Sequence, residues 1–103
     1  MTKTAVLSEL KDADFQPLIN SEFTTTENGA KTQSFELLEV TPLGSKPDNN
    51  ERHAFSLVFR GENIQTPQQS IYELEHPKLG QLALFLVPIG SDQHGMRYEA
   101  VFT

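Results

Sequence analysis

The sequence has no cysteine among its 103 residues. Disulfide bonds and thiolate chemistry are therefore excluded, and the fold must be stabilised by packing alone. A chain of this length fits one domain and leaves no room for two. We therefore predict a single domain spanning residues 1–103.

Basic side chains are also scarce. Eight Lys and Arg stand against fourteen Asp and Glu, which gives a formal net charge of −6. Neither half of the chain carries an excess of positive charge. Nucleic acids and anionic membranes are bound by clustered Lys and Arg, so we expect neither as a partner.

Long apolar runs are missing as well. The longest, residues 82–89, is eight residues long. A membrane-spanning helix needs about 20, so this run is predicted to be a buried strand. Residues 1–10 lack the apolar core and the cleavage site of a signal peptide, and we expect a cytoplasmic product.

The N-terminal part has a weak helical pattern. Its apolar residues suit one face of a short helix: Val6, Leu7 and Leu10. Asp14 is suited to capping a further turn over residues 15–19. Residues 5–19 are therefore predicted to form one or two short helical pieces.

A hairpin is predicted next, because Asn28-Gly29 separates two strand-like segments, residues 23–26 and 33–40. A two-residue loop pairs Phe23 with Ser34, whereas an odd loop pairs Phe23 with Phe35 and unites the aromatic side chains. A slip of one residue exchanges the two faces of a strand. The sequence leaves both registers open.

Two polar stretches follow, residues 41–52 and 60–69, and are predicted to be loops on either side of a strand at residues 54–59. The first has twelve residues, longer than the usual hairpin connection of about 2–5, and is where we would look first for a partner contact.

The last three strands are predicted at residues 71–75, 82–87 and from Met96 onwards. A four-residue loop over residues 77–80 sets Tyr72 opposite Phe85, and a loop over residues 90–95 sets Val87 opposite Tyr98. Both loops then give one apolar face. Its members are Tyr72, Leu74, Ala83, Phe85, Val87, Met96, Tyr98, Ala100 and Phe102. Phe85, at its centre, is predicted to be fully buried.

The middle strand also has an apolar second face, made of Leu82, Leu84 and Leu86. A strand that is apolar on both faces is covered on both faces. The predicted cover is the N-terminal segment with Leu7, Leu10 and Phe15, and the alternative cover is a partner protein. About six strands and one short helix indicate a mainly β fold, a small antiparallel barrel or roll.

Candidate catalytic residues have simpler structural interpretations. Ser91, Asp92 and His94 share one loop, whereas the members of a catalytic triad come from distant positions, so we interpret them as turn residues. Glu73 and Glu75 are interpreted as a solvated strand edge.

Metal and phosphate sites are not predicted either. The histidines His53, His76 and His94 lack zinc-site spacing. His76 and His94 would lie at opposite ends of one strand, roughly 26 Å apart. The six glycines match no phosphate-binding motif, and each is interpreted as a turn residue. We therefore assign no catalytic, cofactor-binding or metal-binding residue and expect no cofactor.

Four segments of the C-terminal half resemble a known family. They are FSLVFRG at 55–61, IYELEHPKLG at 71–80, LFLVPIG at 84–90 and MRYEAVF at 96–102. With a weaker echo at Asp14, Phe15 and Phe23, they resemble a family of small uncharacterised bacterial domains of about this length. The resemblance implies no activity that can be assigned to a residue. It implies an accessory or assembly role, because members are encoded near phage-tail-like proteins.

These observations favour a non-enzymatic interaction or assembly domain with a protein partner, accessory to a phage-tail-like particle. The alternative is a small-ligand-binding β-barrel, because such barrels can enclose an apolar pocket. An enzyme comes third. Self-association into a homo-oligomer is left open.

Overall fold

A computed structural model describes residues 10–27, 30–43, 54–62 and 68–102. The first element is a short helix, α1 (Asp12–Phe15), which continues into a 3₁₀ turn at Gln16–Leu18. The strands are β1 (Glu22–Glu27), β2 (Ala30–Pro42), β3 (Phe55–Gly61), β4 (Ser70–His76), β5 (Gly80–Asp92) and β6 (Gly95–Phe102).

The six strands form one antiparallel sheet that closes in a ring. Their order is β1-β2-β3-β6-β5-β4, and β4 pairs back with β1. The expectation of a mainly β fold of about six antiparallel strands with a short N-terminal helix is confirmed. Within the described ranges, no helix is long and apolar enough to cross a membrane.

Helix α1 begins one turn earlier than a helix capped by Asp14 would. The backbone N–H of Lys11 donates a hydrogen bond to Asp14 Oδ2 at 2.8 Å, so Asp14 stabilises the first turn of α1 from within it. The predicted role of Asp14 as the cap of a second turn is therefore wrong. Residues 5–9 of the predicted helical segment, with Val6 and Leu7, lie outside the described residues.

The β1–β2 hairpin combines the two registers that the sequence left open. Glu27 pairs with Ala30, which leaves two residues for the connection, and Phe23 pairs with Phe35. The two pairings are compatible because a β-bulge near Thr25 and Thr26 inserts one extra residue in β2. The bulge thereby places both phenylalanines in the interior, where they are buried.

Strands β2 and β3 are longer than predicted. Pro42 pairs with Phe55, and Gly61 pairs with Met96, so the first two residues of each predicted loop belong to strands. Polar and turn-forming residue types suggested loops there, but an outward-facing strand position accepts a polar residue at little cost. Most of the remainder of the two predicted loops, residues 44–52 and 63–67, lies outside the described residues.

The β4–β5 register differs from the predicted one by one residue. The turn has three residues rather than four, because Gly80, at φ 80°, already pairs with His76. Tyr72 consequently pairs with Leu84 instead of Phe85. A shift of one residue turns every side chain of β5 to the other face of the sheet.

Strand β5 therefore presents its leucines to the interior. Leu82, Leu84 and Leu86 are buried, whereas Phe85 is 52% exposed. The prediction that Phe85 is fully buried is wrong, and the predicted interior positions of Ala83 and Val87 are wrong with it. The leucines need no cover from the N-terminal segment or a partner, because the interior of the ring covers them.

The β5–β6 hairpin also departs from the predicted pairing. Val87 pairs with Glu99 rather than Tyr98, and a bulge lies between Pro88 and Gly90. The turn itself consists of residues 93–94. The predicted interior residues of β6 are confirmed, and they are buried: Met96, Tyr98, Ala100 and Phe102.

Aromatic side chains fill the interior. Phe55 and Phe102 stack with ring centroids 4.6 Å apart, and Phe15 from α1 packs 5.9 Å and 5.6 Å from them. Farther along, the Tyr98 ring lies 5.4 Å from that of Phe35. Helix α1 thus contributes Phe15 to the core built by the strands.

Candidate functional site

The Ser91, Asp92 and His94 group lies at the β5–β6 turn, where Asp92 organises the backbone. Asp92 Oδ1 accepts hydrogen bonds from the backbone N–H of His94 at 2.8 Å and of Gly95 at 3.1 Å. Its carboxylate also accepts bonds from Arg60, with Nη2 at 2.6 Å and Nε at 3.1 Å from Oδ2. These bonds, chiefly that of Arg60, hold the pKa of Asp92 at about 2, below its ordinary 3.8.

Arg60 is the residue of this cluster that sequence reasoning missed. It was assigned to a loop, whereas it lies on β3, and its guanidinium also lies 3.8 Å from Glu36 of β2. The hydrogen bond spans 32 residues of sequence, so no local pattern could indicate it. The cluster joins the three strands β2, β3 and β5 through Glu36, Arg60 and Asp92.

A serine and a histidine do meet elsewhere. Ser21 Oγ lies 2.9 Å from Nε2 of His76, which is buried at the end of β4. A catalytic pair requires the serine to donate its proton to an unprotonated imidazole nitrogen. Here the Ser21 hydroxyl donates to the carbonyl oxygen of Leu18, and the backbone N–H of Lys78 donates to His76 Nδ1.

The proton of this imidazole therefore belongs on Nε2, which donates to Ser21. That is the reverse of the arrangement in a serine nucleophile with its general base. Burial, and to a lesser degree the positive charge of Lys78, lower the pKa of His76. The pair is a partly buried structural contact between β4 and the segment before β1.

The described residues hold no group of three or more His, Asp or Glu side chains placed to bind a metal ion. His76 ends β4 and pairs with Gly80, the first residue of β5, whereas His94 lies in the turn after Asp92, the last residue of β5. The two histidines therefore lie at opposite ends of β5. His53 lies outside the described residues. Glu73 lies on the outward face of β4, and Glu75 on the same face bonds to Gln81 at 3.2 Å.

The outer surface of β4, β5 and β6 carries an apolar patch, which consists of Ile71, Phe85 and Val101. Their exposed fractions are 67%, 52% and 53%. Ile71 pairs directly with Phe85. The ladder between β5 and β6 ends at the pair of Val87 and Glu99, and Val101 lies two residues beyond Glu99 on the same outward face of β6. The three side chains therefore occupy the outer faces of three neighbouring strands, and Ile71 and Phe85 are direct neighbours.

Comparison with known families adds one match. Residues 10–102 match the family described as a domain of unknown function, DUF6916. The chain belongs to this family. No curated protein and no solved structure matches the DUF6916 chain. The resemblance found in the sequence to a small domain of unknown function, about 100 residues long, is thereby confirmed.

Proposed function

We propose that this DUF6916 domain is a non-enzymatic interaction or assembly domain that binds a protein partner through the apolar patch. The observation that carries the proposal is the exposure of Phe85 between Ile71 and Val101 on neighbouring strands. Single exposed apolar side chains are common, but exposed apolar side chains grouped on neighbouring strands around an aromatic residue are typical of interaction sites. Aromatic anchors also supply much of the binding energy of protein interfaces.

The border of the patch specifies the chemistry of the partner. Glu73 pairs with Ala83 beside the patch, and Glu99 pairs with Val87 on its other side. The whole chain carries a net charge of −6. An apolar surface bordered by Lys and Arg complements this arrangement, whereas a second copy would bring acidic borders together.

Two features favour binding over the other functions considered. The Ser21 hydroxyl donates to a backbone carbonyl and His76 Nδ1 accepts from a backbone N–H, which is not the arrangement of a nucleophile and its general base. The interior that a ligand-binding barrel would need is occupied by side chains, among them Phe35, Tyr98 and Leu86. The outer face is therefore the better-supported place for a ligand, and a macromolecule fits an open face better than a small molecule does.

The biological setting of the proposal comes from the sequence resemblance. We propose a bacterial, cytoplasmic protein that is accessory to a phage-tail-like particle. A tail or assembly protein with a basic border around an apolar contact would then be the partner.

The test is partner recovery with matched variants. Tagged wild-type protein, Phe85→Glu and Gln93→Glu are expressed in the encoding organism, and recovered proteins are identified by mass spectrometry. Gln93 is an exposed residue of the β5–β6 turn, beyond the end of β5, so its variant carries the same new charge away from the patch. We expect one identified protein to bind the wild type and Gln93→Glu and to be lost with Phe85→Glu, both in recovery and in reconstitution with purified components.

Equal binding by all three proteins would refute the patch as the docking surface. Sedimentation measurements test whether the patch instead binds a second copy of this chain. If the wild type self-associates and Phe85→Glu is monomeric, the patch binds a second copy and the proposed basic partner is wrong.

A further inference from the structure

The ring closes through a short seam between β1 and β4. In the part of the chain that the structure describes, this seam has two residue pairs, Thr24 with Glu75 and Thr25 with Leu74. The neighbouring β4–β5 ladder has seven. Fewer backbone pairs give less resistance to local opening, so the seam is where the ring should open first.

His76 sits at one end of this seam and connects three segments. Its Nε2 donates to Ser21, the residue directly before β1, and its ring centroid lies 4.5 Å from that of Phe23 on β1. Its Nδ1 accepts from the backbone N–H of Lys78 at 3.1 Å, in the turn that leads to β5. The imidazole thus holds the start of β1 to the end of β4.

The hydrogen bonds around His76 require its imidazole to be neutral. A proton on Nδ1 would face the N–H of Lys78, and two donors cannot bond to each other. The bond to Lys78 would be lost and a positive charge would be left in a buried position, which is costly without a partner. Both effects favour movement of the protonated imidazole out of the seam.

The charged groups around His76 do not compensate such a charge. Lys78 on the adjoining turn is positive and opposes it. On β4 and β1 the nearby carboxylates bond elsewhere, Glu75 to Gln81 and Glu22 to Ser34. In the N-terminal segment, Asp14 bonds to the backbone of Lys11.

We propose that His76 acts as an acid-sensitive latch, that is, a contact that keeps the six-stranded sheet closed at neutral pH. Proton uptake by its imidazole breaks the contact with the 77–79 turn and opens the seam between β1 and β4. The latch is independent of the apolar patch, which lies on the outer face of β4, β5 and β6. It gives the domain a means of loosening its N-terminal segment in an acidic environment.

The direction of the pH effect follows from the lowered pKa of His76, whose ordinary value is 6.5. The open seam takes up a proton more readily than the closed one. Stability of the seam is therefore complete above pH 6.5 and falls as the pH drops below that value toward the lower pKa of the closed state.

The experiment measures the imidazole and the seam together by NMR. Imidazole ¹⁵N shifts of the wild type at about pH 7.5 should show the proton on Nε2 of His76. Amide protection factors in β1 and β4 should fall at least about threefold between about pH 7.5 and about pH 5, relative to those of β3 and β6. His94→Gln, which removes an exposed histidine of the β5–β6 turn, should behave as the wild type.

His76→Gln should lose the pH-dependent fall at the seam. Three results would overturn the proposal: a proton on Nδ1 of His76 in the wild type at neutral pH, a wild-type seam that keeps its protection through the titration of His76, or the same fall in His76→Gln. If His76→Gln does not fold, the first two results, which need only the wild type, decide.

Discussion

Gly61 lies against the ring of Phe35 so closely that a Cβ atom at position 61 would stand 2.9 Å from Cε1 of Phe35. The same atom would stand 3.3 Å from Cε1 of Tyr98. Both rings are buried, and they pack against each other with centroids 5.4 Å apart. Gly61 is therefore a packing residue within a strand, and its interpretation as a turn residue is wrong.

Gly61→Ala is accordingly expected to destabilise the protein. The added methyl group must displace one of two buried rings, and overpacking of this kind costs about 1–3 kcal/mol in the free energy of unfolding. Urea titration measures the loss. Ala83→Val, which adds methyl groups at an exposed position of β5, serves as the control and should change the stability little. A Gly61→Ala protein as stable as the wild type would contradict the close packing.

The Asp92–Arg60 pair should contribute stability that depends on pH. The pKa of Asp92 is lowered from 3.8 to about 2, so the contribution is present above pH 3.8 and is lost as the pH falls toward 2. The difference in melting temperature between the wild type and Asp92→Asn should thus be largest near neutral pH and shrink across this range. Glu73→Gln, which removes a carboxylate away from Arg60, should show no comparable trend. A difference that is constant with pH would argue against the ion pair.

Metal removal should leave the protein unchanged. The described residues offer no cluster of ligands, and binding of a structural metal would couple directly to folding. Melting curves with and without EDTA should coincide. Stoichiometric zinc retained through purification in metal-free buffer, together with a lower melting temperature in EDTA, would show that a site exists.

Much of the fold could be predicted from local patterns. Alternating apolar residues gave the strands, and turn-forming residues gave the β4–β5 connection at Gly80. The interior residues of β6 followed as well, because only one of its faces is apolar. Strand β5 is different: Leu82, Leu84 and Leu86 alternate with Ala83, Phe85 and Val87, so alternation could not choose a face.

Which side chains of β5 point into the interior depends on whether the β4–β5 turn has three residues or four. A three-residue turn buries the leucines, and a four-residue turn would bury Phe85 instead. The bulges in β2 and β5 have no sequence signal of comparable strength. The Ser21–His76 contact could not be foreseen either, since 55 residues separate its members and only closure of the ring brings them together.

The last prediction tests the face of β5 with two adjacent residues. Leu84 is buried at 3% exposure and Phe85 is exposed at 52%. Leu84→Ala leaves a cavity in the interior and should lower the free energy of unfolding by about 2–5 kcal/mol. Phe85→Ala removes a larger side chain but creates no cavity, so it should cost less than about 1 kcal/mol. Urea titration of both variants compares them directly. A greater loss of unfolding free energy for Phe85→Ala would show that β5 faces the other way, with Phe85 in the interior and no apolar patch on the outer surface.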